Sequence, residues 1–305
     1  MGSIPGLPTN IKPDSSKSRL YEGMEYKEFW EDLARSKLDE LEHIIVRELL
    51  PASGRRIIDI GCGFGRLADC YLDRFEEVIM VDGSMSLLKQ AREFAGSRAT
   101  YFAVDVNHMP FRASSFDVVL MVRVFHHIQD SASILKSINN ILIDKGTLLF
   151  NYCNKLSARQ TFRWFIRKTK NNPFTLEPIV GVRFITHHPT FISRLLSEND
   201  FTSTRYLGIG VMDKIAGMAG RFHNLIPNGR KIAPFLGLIK LAPWIFCKSI
   251  ADSKSENLEV VEYERLLICP LCRGDLKYSA HSYLCLSCDQ DYPIVDGIVD
   301  FRLDF

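Results

Sequence analysis

Between residues 50 and 155 the chain alternates short apolar runs with stretches of helical spacing. Runs at 57–60 (IIDI), 76–82 (EEVIMVD), 100–106 (TYFAVDV), 117–122 (DVVLMV) and 146–152 (GTLLFNY) read as buried strands, while 66–75 (RLADCYLDRF) and 85–94 carry apolar residues at helical spacing. Strand and helix in alternation predict an α/β domain built on a parallel sheet. Further along, 188–196 reads as a late helix, and 203–207 and 244–250 as a sixth and a seventh strand. At the other end, Tyr26, Phe29, Trp30, Leu33, Leu41 and Ile45 recur near helical spacing within 21–50, which predicts a helix packed on the sheet. Tyr21, Tyr26 or Trp30 is alternatively placed to cover a ligand. Residues 1–20, rich in Gly, Pro, Ser and Lys, are expected to be disordered. The apolar stretch 211–241, with Gly and Pro scattered through it, reads as a lid or as core.

The first strand runs into Asp59 and then into glycines at alternate positions, Gly61, Gly63 and Gly65. Glycines directly after a strand let the backbone turn sharply and approach a ligand where a Cβ would intrude. The dinucleotide fingerprint is excluded because Arg66 stands where its third glycine belongs, and a P-loop is excluded because no G-K-[ST] follows. Asp82 ends the second strand, where a carboxylate can accept both ribose hydroxyls of a bound nucleoside.

The pattern Asp-x-Gly-x-Gly-x-Gly resembles motif I of class I S-adenosylmethionine (SAM) methyltransferases. The order of features after it, including Asp105 at the end of the third strand and the Pro-Phe and Ser-Phe-Asp that lead the fourth, is similar to the same family over about residues 20–150. The resemblance implies a Rossmann-like seven-stranded sheet with helices on both faces and SAM as cofactor. It implies that Asp59, Gly61, Gly63 and Gly65 form the cofactor loop, that Asp82 holds the ribose, that Asp105 takes the adenine amino group, and that Val106 offers a backbone N–H to the ring.

A chain of 305 residues accommodates one α/β domain and a smaller module. Four of the eight cysteines are clustered as Cys269-Pro-Leu-Cys272, twelve residues, and Cys285-Leu-Ser-Cys288. Two C-x-x-C knuckles present four thiolates able to close a tetrahedral structural Zn²⁺ site, whereas a redox pair expects a single C-x-x-C near a βαβ unit. The surrounding residues, Tyr292, Pro293, Ile294, Asp296, Gly297, Ile298 and Phe301, resemble the small zinc ribbons of tRNA-methyltransferase activator proteins. That resemblance implies a ribbon that partners a methyltransferase, here in cis along a sheet edge. The expected division is 1–20 disordered, 21–255 methyltransferase domain with 151–255 as its variable substrate and lid region, and 256–305 zinc ribbon. With no secretory leader in view, no apolar run of bilayer length and cysteines spaced for metal, the expected compartment is the cytoplasm.

Charge is uneven along the chain. Residues 151–255 hold 16 Lys and Arg against five acids, a net of +11, while the whole chain is +2 and the remainder therefore −9. A basic segment on an acidic frame points to an anionic partner such as RNA, a phosphorylated small molecule or a membrane surface, and a solvated face is the plain alternative. Within it, 159–170 interleaves Phe162, Trp164 and Phe165 with Arg159, Arg163, Arg167 and Lys168, a pattern suited to an amphipathic helix.

The carboxyl end of the fourth strand, where ligands of open sheets collect, reads Arg123-Val-Phe-His126-His127. His126 or His127, with an ordinary pKa near neutrality, is the candidate catalytic base; contact with the cofactor or the start of a helix is the competing role. The [ND]-P-P-[YF] signature of amino-methylating enzymes is missing. Methyl transfer to a small organic or lipid-like acceptor is the leading expectation, RNA methylation the second and a non-catalytic SAM-binding scaffold the third.

Overall fold

The computed structural model describes residues 33–181, 184–210, 240–252 and 261–303. Tyr21, Tyr26, Phe29, Trp30 and nearly all of the expected lid at 211–241 lie outside the described residues, as does the expected disordered stretch 1–20. The elements are helix α1 (Leu33–Leu49), β1 (Gly54–Ile60), β2 (Phe75–Asp82), α2 (Met85–Ala95), β3 (Thr100–Ala103), β4 (Phe116–Met121), α3 (Ser131–Ile141), β5 (Leu142–Cys153), α4 (Ala158–Phe165), β6 (Ile179–Val180), β7 (Ile185–Thr186), α5 (Pro189–Glu198), β8 (Phe201–Ile209), β9 (Trp244–Ala251), and the C-terminal strands β10 (Leu276–Ser279), β11 (Ser282–Cys285), β12 (Asp291–Val295) and β13 (Ile298–Asp300).

Seven strands take the order β3-β2-β1-β4-β5-β9-β8. The central strands are parallel and β9 is antiparallel to both β5 and β8. Strand alternation divides the core between the two faces. Ile58, Ile79, Val119, Phe150 and Ile245 meet α3 and α5 through Leu135, Ile138, Ile192 and Leu196. Their neighbours Ile57, Met80, Leu120, Leu149 and Phe246 meet α1 and α2 through Val46, Leu49, Leu88 and Ala91. Buried on both faces, these strands read as continuous apolar runs.

Two sequence expectations are corrected. The sheet has eleven strands, because β10-β11-β12-β13 continue it beyond β3. β13 lies parallel to β3, with Ile298, Val299 and Asp300 opposite Tyr101, Phe102 and Ala103, and Phe301 N–H donates to the Ala103 carbonyl at 2.8 Å. The C-terminal strands therefore share one sheet with the α/β domain along its β3 edge, in line with the edge placement expected for them, while the partner strand and its register are announced by no local pattern. The second correction concerns 66–75, which forms turns and a short 3₁₀ segment at Ala68–Cys70 rather than an α-helix. β2 begins at Phe75, and Ala68, Cys70, Tyr71 and Arg74 donate to carbonyls three residues back, to Gly65, Leu67, Ala68 and Tyr71, the bonding of a tight turn.

Helix α4 is shorter than the expected 159–170. Arg167, two residues past its last turn, has φ 57°, a left-handed conformation that helices cannot contain. Helix α5 begins with Pro189 in its first turn, and the His188 ring Nδ1 caps it by accepting from Thr190 N–H at 3.1 Å.

Candidate functional site

The three glycines after β1 all have positive φ, 71° at Gly61, 56° at Gly63 and 81° at Gly65. At Gly61 space forbids a side chain as well, since a Cβ would come within 2.2 Å of Val124 Cγ2. The loop thus needs glycine for its own fold and for packing against the carboxyl end of β4. Asp82 ends β2 beside it. One of its carboxylate oxygens accepts from Gly63 N–H at 2.8 Å and the other from Ser84 N–H at 2.9 Å, which fixes the group at the mouth of the loop.

Asp59 sits deeper. Its carboxylate is buried and accepts from Tyr71 O–H at 2.7 Å. Burial pushes its pKa from 3.8 up to about 7, against the lowering effects of the Tyr71 hydrogen bond and Arg66 and with a further rise from Asp82. Asp59 therefore supports the loop from behind, whereas Asp82 faces its opening. Asp105 follows β3 and caps a 3₁₀ turn at Val106–His108 by accepting from Asn107 N–H at 2.9 Å and from the Asn107 side-chain amide at 2.8 Å. Val106 packs against the core, so the turn that carries both residues is held from within the fold.

At the carboxyl end of β4, Arg123 adopts φ 65°, its N–H donates to the Asn151 side-chain carbonyl at 2.7 Å, and its guanidinium lies 3.7 Å from the centre of the Trp244 ring. Glu42, fully buried on α1, accepts from Arg123 Nε at 2.7 Å through one oxygen and from Arg66 Nη2 at 2.6 Å through the other. The two arginines hold the Glu42 carboxyl below its ordinary value in spite of its burial. This ion triad ties the residue after the third glycine to the second residue after β4. Sequence reasoning passed over Glu42, yet a signal existed. It lies on the same stripe of α1 as Ile45, Val46 and Leu49, an acid among core positions.

His126 and His127 follow in a 3₁₀ turn, with ring centres 4.0 Å apart. His126 is buried between Phe184 at 4.8 Å and Trp244 at 5.0 Å. Burial, then the neighbouring His127, Arg123 and His187, push its pKa down to about 2, so the near-neutral value expected of a base does not hold there. The structure adds His187, which no sequence pattern singled out. It is buried after β7, 5.3 Å from Phe125 and stacked at 5.8 Å on Phe191, with its pKa lowered to about 4 by burial and by Lys155. Neither ring nitrogen of His187, nor Nδ1 of His126, has a hydrogen-bond partner among the described residues.

The C-terminal cysteines converge. The Sγ atoms of Cys269, Cys272, Cys285 and Cys288 all lie within 4.8 Å of one another, with Cys269 and Cys288 3.7 Å apart and Cys272 and Cys285 3.4 Å apart. Four sulfurs at zinc–sulfur bond length on a tetrahedron stand about 3.8 Å apart, so the donor set fits that ion. A Cβ at Gly274 would lie 2.4 Å from Ser287 Oγ and 3.2 Å from Cys272 Sγ, so only glycine lets the two knuckles close. Burial opposes the Cys269 thiolate, but hydrogen bonds from the Tyr292 hydroxyl and from backbone N–H groups outweigh it and lower its pKa to about 6. Cys62 and Cys247, by contrast, are buried thiols pushed up by that burial.

The cluster is fastened to the turns that follow Asp82 and Asp105. Arg273 donates to the Met109 and Phe111 carbonyls at 2.8 and 2.9 Å, Arg302 donates to the Gly83 carbonyl at 3.2 Å, and Asp296 pairs with Lys89 at 2.8 Å.

Residues 58–150 match the family model described as a methyltransferase domain. A ubiquinone biosynthesis O-methyltransferase of Azorhizobium caulinodans is 27% identical over 135 residues, 40% of this chain and 53% of the relative. Matches to the curated relatives span between 38% and 65% of their own length. Among solved structures, a complex between the Haloferax volcanii Trm112 methyltransferase activator and a putative methyltransferase superposes with a TM-score of 0.52 at 14% identity, covering 79% of this chain and 96% of the other. A putative S-adenosylmethionine-dependent methyltransferase of Listeria monocytogenes gives 0.53 at 15% identity, with 70% of this chain and 98% of the other covered. With the glycine loop after β1 and the strand order described above, residues 58–150 are similar to a methyltransferase domain, and the chain has the Rossmann-like α/β fold seen in SAM-dependent methyltransferases.

Proposed function

We propose that the protein is a SAM-dependent methyltransferase acting on a small organic or lipid-like acceptor. The observation that carries the reading is the Asp82 carboxylate held by the Gly63 and Ser84 N–H groups at the mouth of a three-glycine loop whose φ angles are all positive. Asp82 at the mouth of the loop suits the ribose hydroxyls, Asp105 and Val106 the adenine contacts, and Gly61, Gly63 and Gly65 the close approach of the methionine half. SAM, when bound, supplies an electrophilic methyl group on a sulfonium. The chain's own part is to align an acceptor with it and exclude water. The aromatic cluster of Phe125, His126, Phe184, His187 and Trp244 lies at the carboxyl end of β4, and its unpartnered ring nitrogens are the polar groups nearest that end able to meet an acceptor hydroxyl. Relatives named as O-methyltransferases support a small acceptor.

The second part of the reading is that Cys269, Cys272, Cys285 and Cys288 hold a structural zinc ion. The ion would cross-link the two knuckles and so hold Arg273 and Arg302 on the turns beside the cofactor residues. A small ribbon of this kind draws much of its folding free energy from metal.

Calorimetric titration of the purified chain with SAM and S-adenosylhomocysteine tests the first part, with Gly63→Arg as control. Micromolar binding abolished by the substitution is expected, and no binding by the native chain would overturn the reading. Metal analysis under reducing conditions, in the native chain and in Cys269→Ser/Cys285→Ser, tests the second; a native chain without zinc sinks it.

A further inference from the structure

Helix α4 and the segment after it turn their apolar side chains to solvent. Phe162 is 64% exposed, Phe165 65% and Val180 71%, and Ile166, Phe174 and Leu176 are exposed with them. Trp164, Phe165 and Phe174 form an edge-to-face cluster with ring centres 5.3 to 6.2 Å apart, so the patch is one piece. An exposed apolar patch of this extent marks a contact surface. Five cations, Arg159, Arg163, Arg167, Lys168 and Lys170, flank it, and none forms an ion pair with a described residue. Glu177 is the single acid between 156 and 190.

We propose that this face, α4 together with the β6–β7 hairpin, docks the protein on an anionic lipid bilayer. An apolar face set in a cationic fringe is the physical signature of a helix lying in the membrane interface. Single-stranded nucleic acid is the less suitable occupant. It would use flat aromatic faces as platforms, whereas here the three rings pack edge against face and Ile166, Leu176 and Val180 have no π-face. The same hairpin reaches inward: Phe184, at its β7 end, lies 4.8 Å from His126 and 5.8 Å from His127. One hairpin thus joins the docking face to the histidine pair at the carboxyl end of β4. Docking itself is independent of whether methyl transfer occurs.

The test is flotation of the full chain with vesicles of phosphatidylcholine alone and of phosphatidylcholine with phosphatidylglycerol. The chain is expected to float with the anionic vesicles, to be released by salt, and to show tryptophan quenching by acyl-brominated lipid that Trp164→Phe removes. Arg163→Gln/Arg167→Gln should lower partition about 25-fold, roughly fivefold per charge, and Phe162→Ser/Phe165→Ser should abolish it. All four side chains are surface groups, and unchanged SAM titration of the variants verifies their fold. Absence of flotation, flotation unaffected by both double variants, or salt-labile RNA binding or self-association through this face in place of lipid binding would overturn the proposal.

Discussion

The two ends of the proposed ligand site are built differently. On the nucleoside side every carboxylate expected to meet the cofactor is already held by the protein, Asp82 by Gly63 and Ser84, Asp105 by Asn107. The acceptor side holds buried imidazoles with three nitrogens that no described residue satisfies. Buried polar groups are ordinarily paired, and exceptions mark function. In the proposed reading one end is preorganised for a constant ligand, and the other is left for the acceptor to complete.

The largest test of this contrast is the residue that joins the two ends. Glu42→Ala leaves Arg66 and Arg123 without their shared buried partner and should cost about 3–5 kcal/mol in denaturant unfolding. A loss below 1 kcal/mol would mean that the ends are not coupled through α1.

Asp59 sharpens the nucleoside side. Its carboxyl, raised from 3.8 to about 7 by burial, keeps a proton in the folded chain that the unfolded chain has lost. Stability should therefore fall as pH rises from about 4 to about 7, by as much as about 4 kcal/mol from this group. Asp59→Asn should flatten that slope in unfolding curves measured from pH 5 to 8. A cation bound nearby favours the ionised form, so SAM affinity should also rise with pH through about 7 in the native chain and not in the variant.

The smallest expected effect on stability is at the acceptor side. His187→Phe keeps the stacking on Phe191 and removes two unsatisfied nitrogens, a change that should be neutral to within about 1 kcal/mol. SAM affinity should be unchanged while turnover on a hydroxyl acceptor falls at least about tenfold. Unaltered turnover would remove His187 from the acceptor site.

The same contrast governs what the amino-acid sequence revealed. Gly61, Gly63, Gly65 and Asp82 were legible because backbone conformation and strand ends demand particular residues at fixed spacing. The helix expected at 66–75 failed because apolar spacing does not distinguish turns bonded to the third residue back from a helix bonded to the fourth. An edge placement of the C-terminal strands was expected, but not their partner or register, since Ile298 opposite Tyr101 is a pairing across about two hundred residues that only the folded chain displays. His187 left no trace because its place depends on β5 and β7 meeting near Phe125. The convergence of the four cysteines could be read directly, as C-x-x-C spacing is local.

The parallel seating of β13 on β3 has a temporal meaning. Synthesis proceeds from the amino end, so β3 is made long before Ile298, Val299 and Asp300 exist. At about 5–20 residues per second the interval is on the order of 10–40 s. During it the nascent sheet presents a bare row of N–H and C=O groups, the surface most apt to recruit a wrong strand. The outer edge of β3 is therefore covered only after the β12–β13 hairpin has been made.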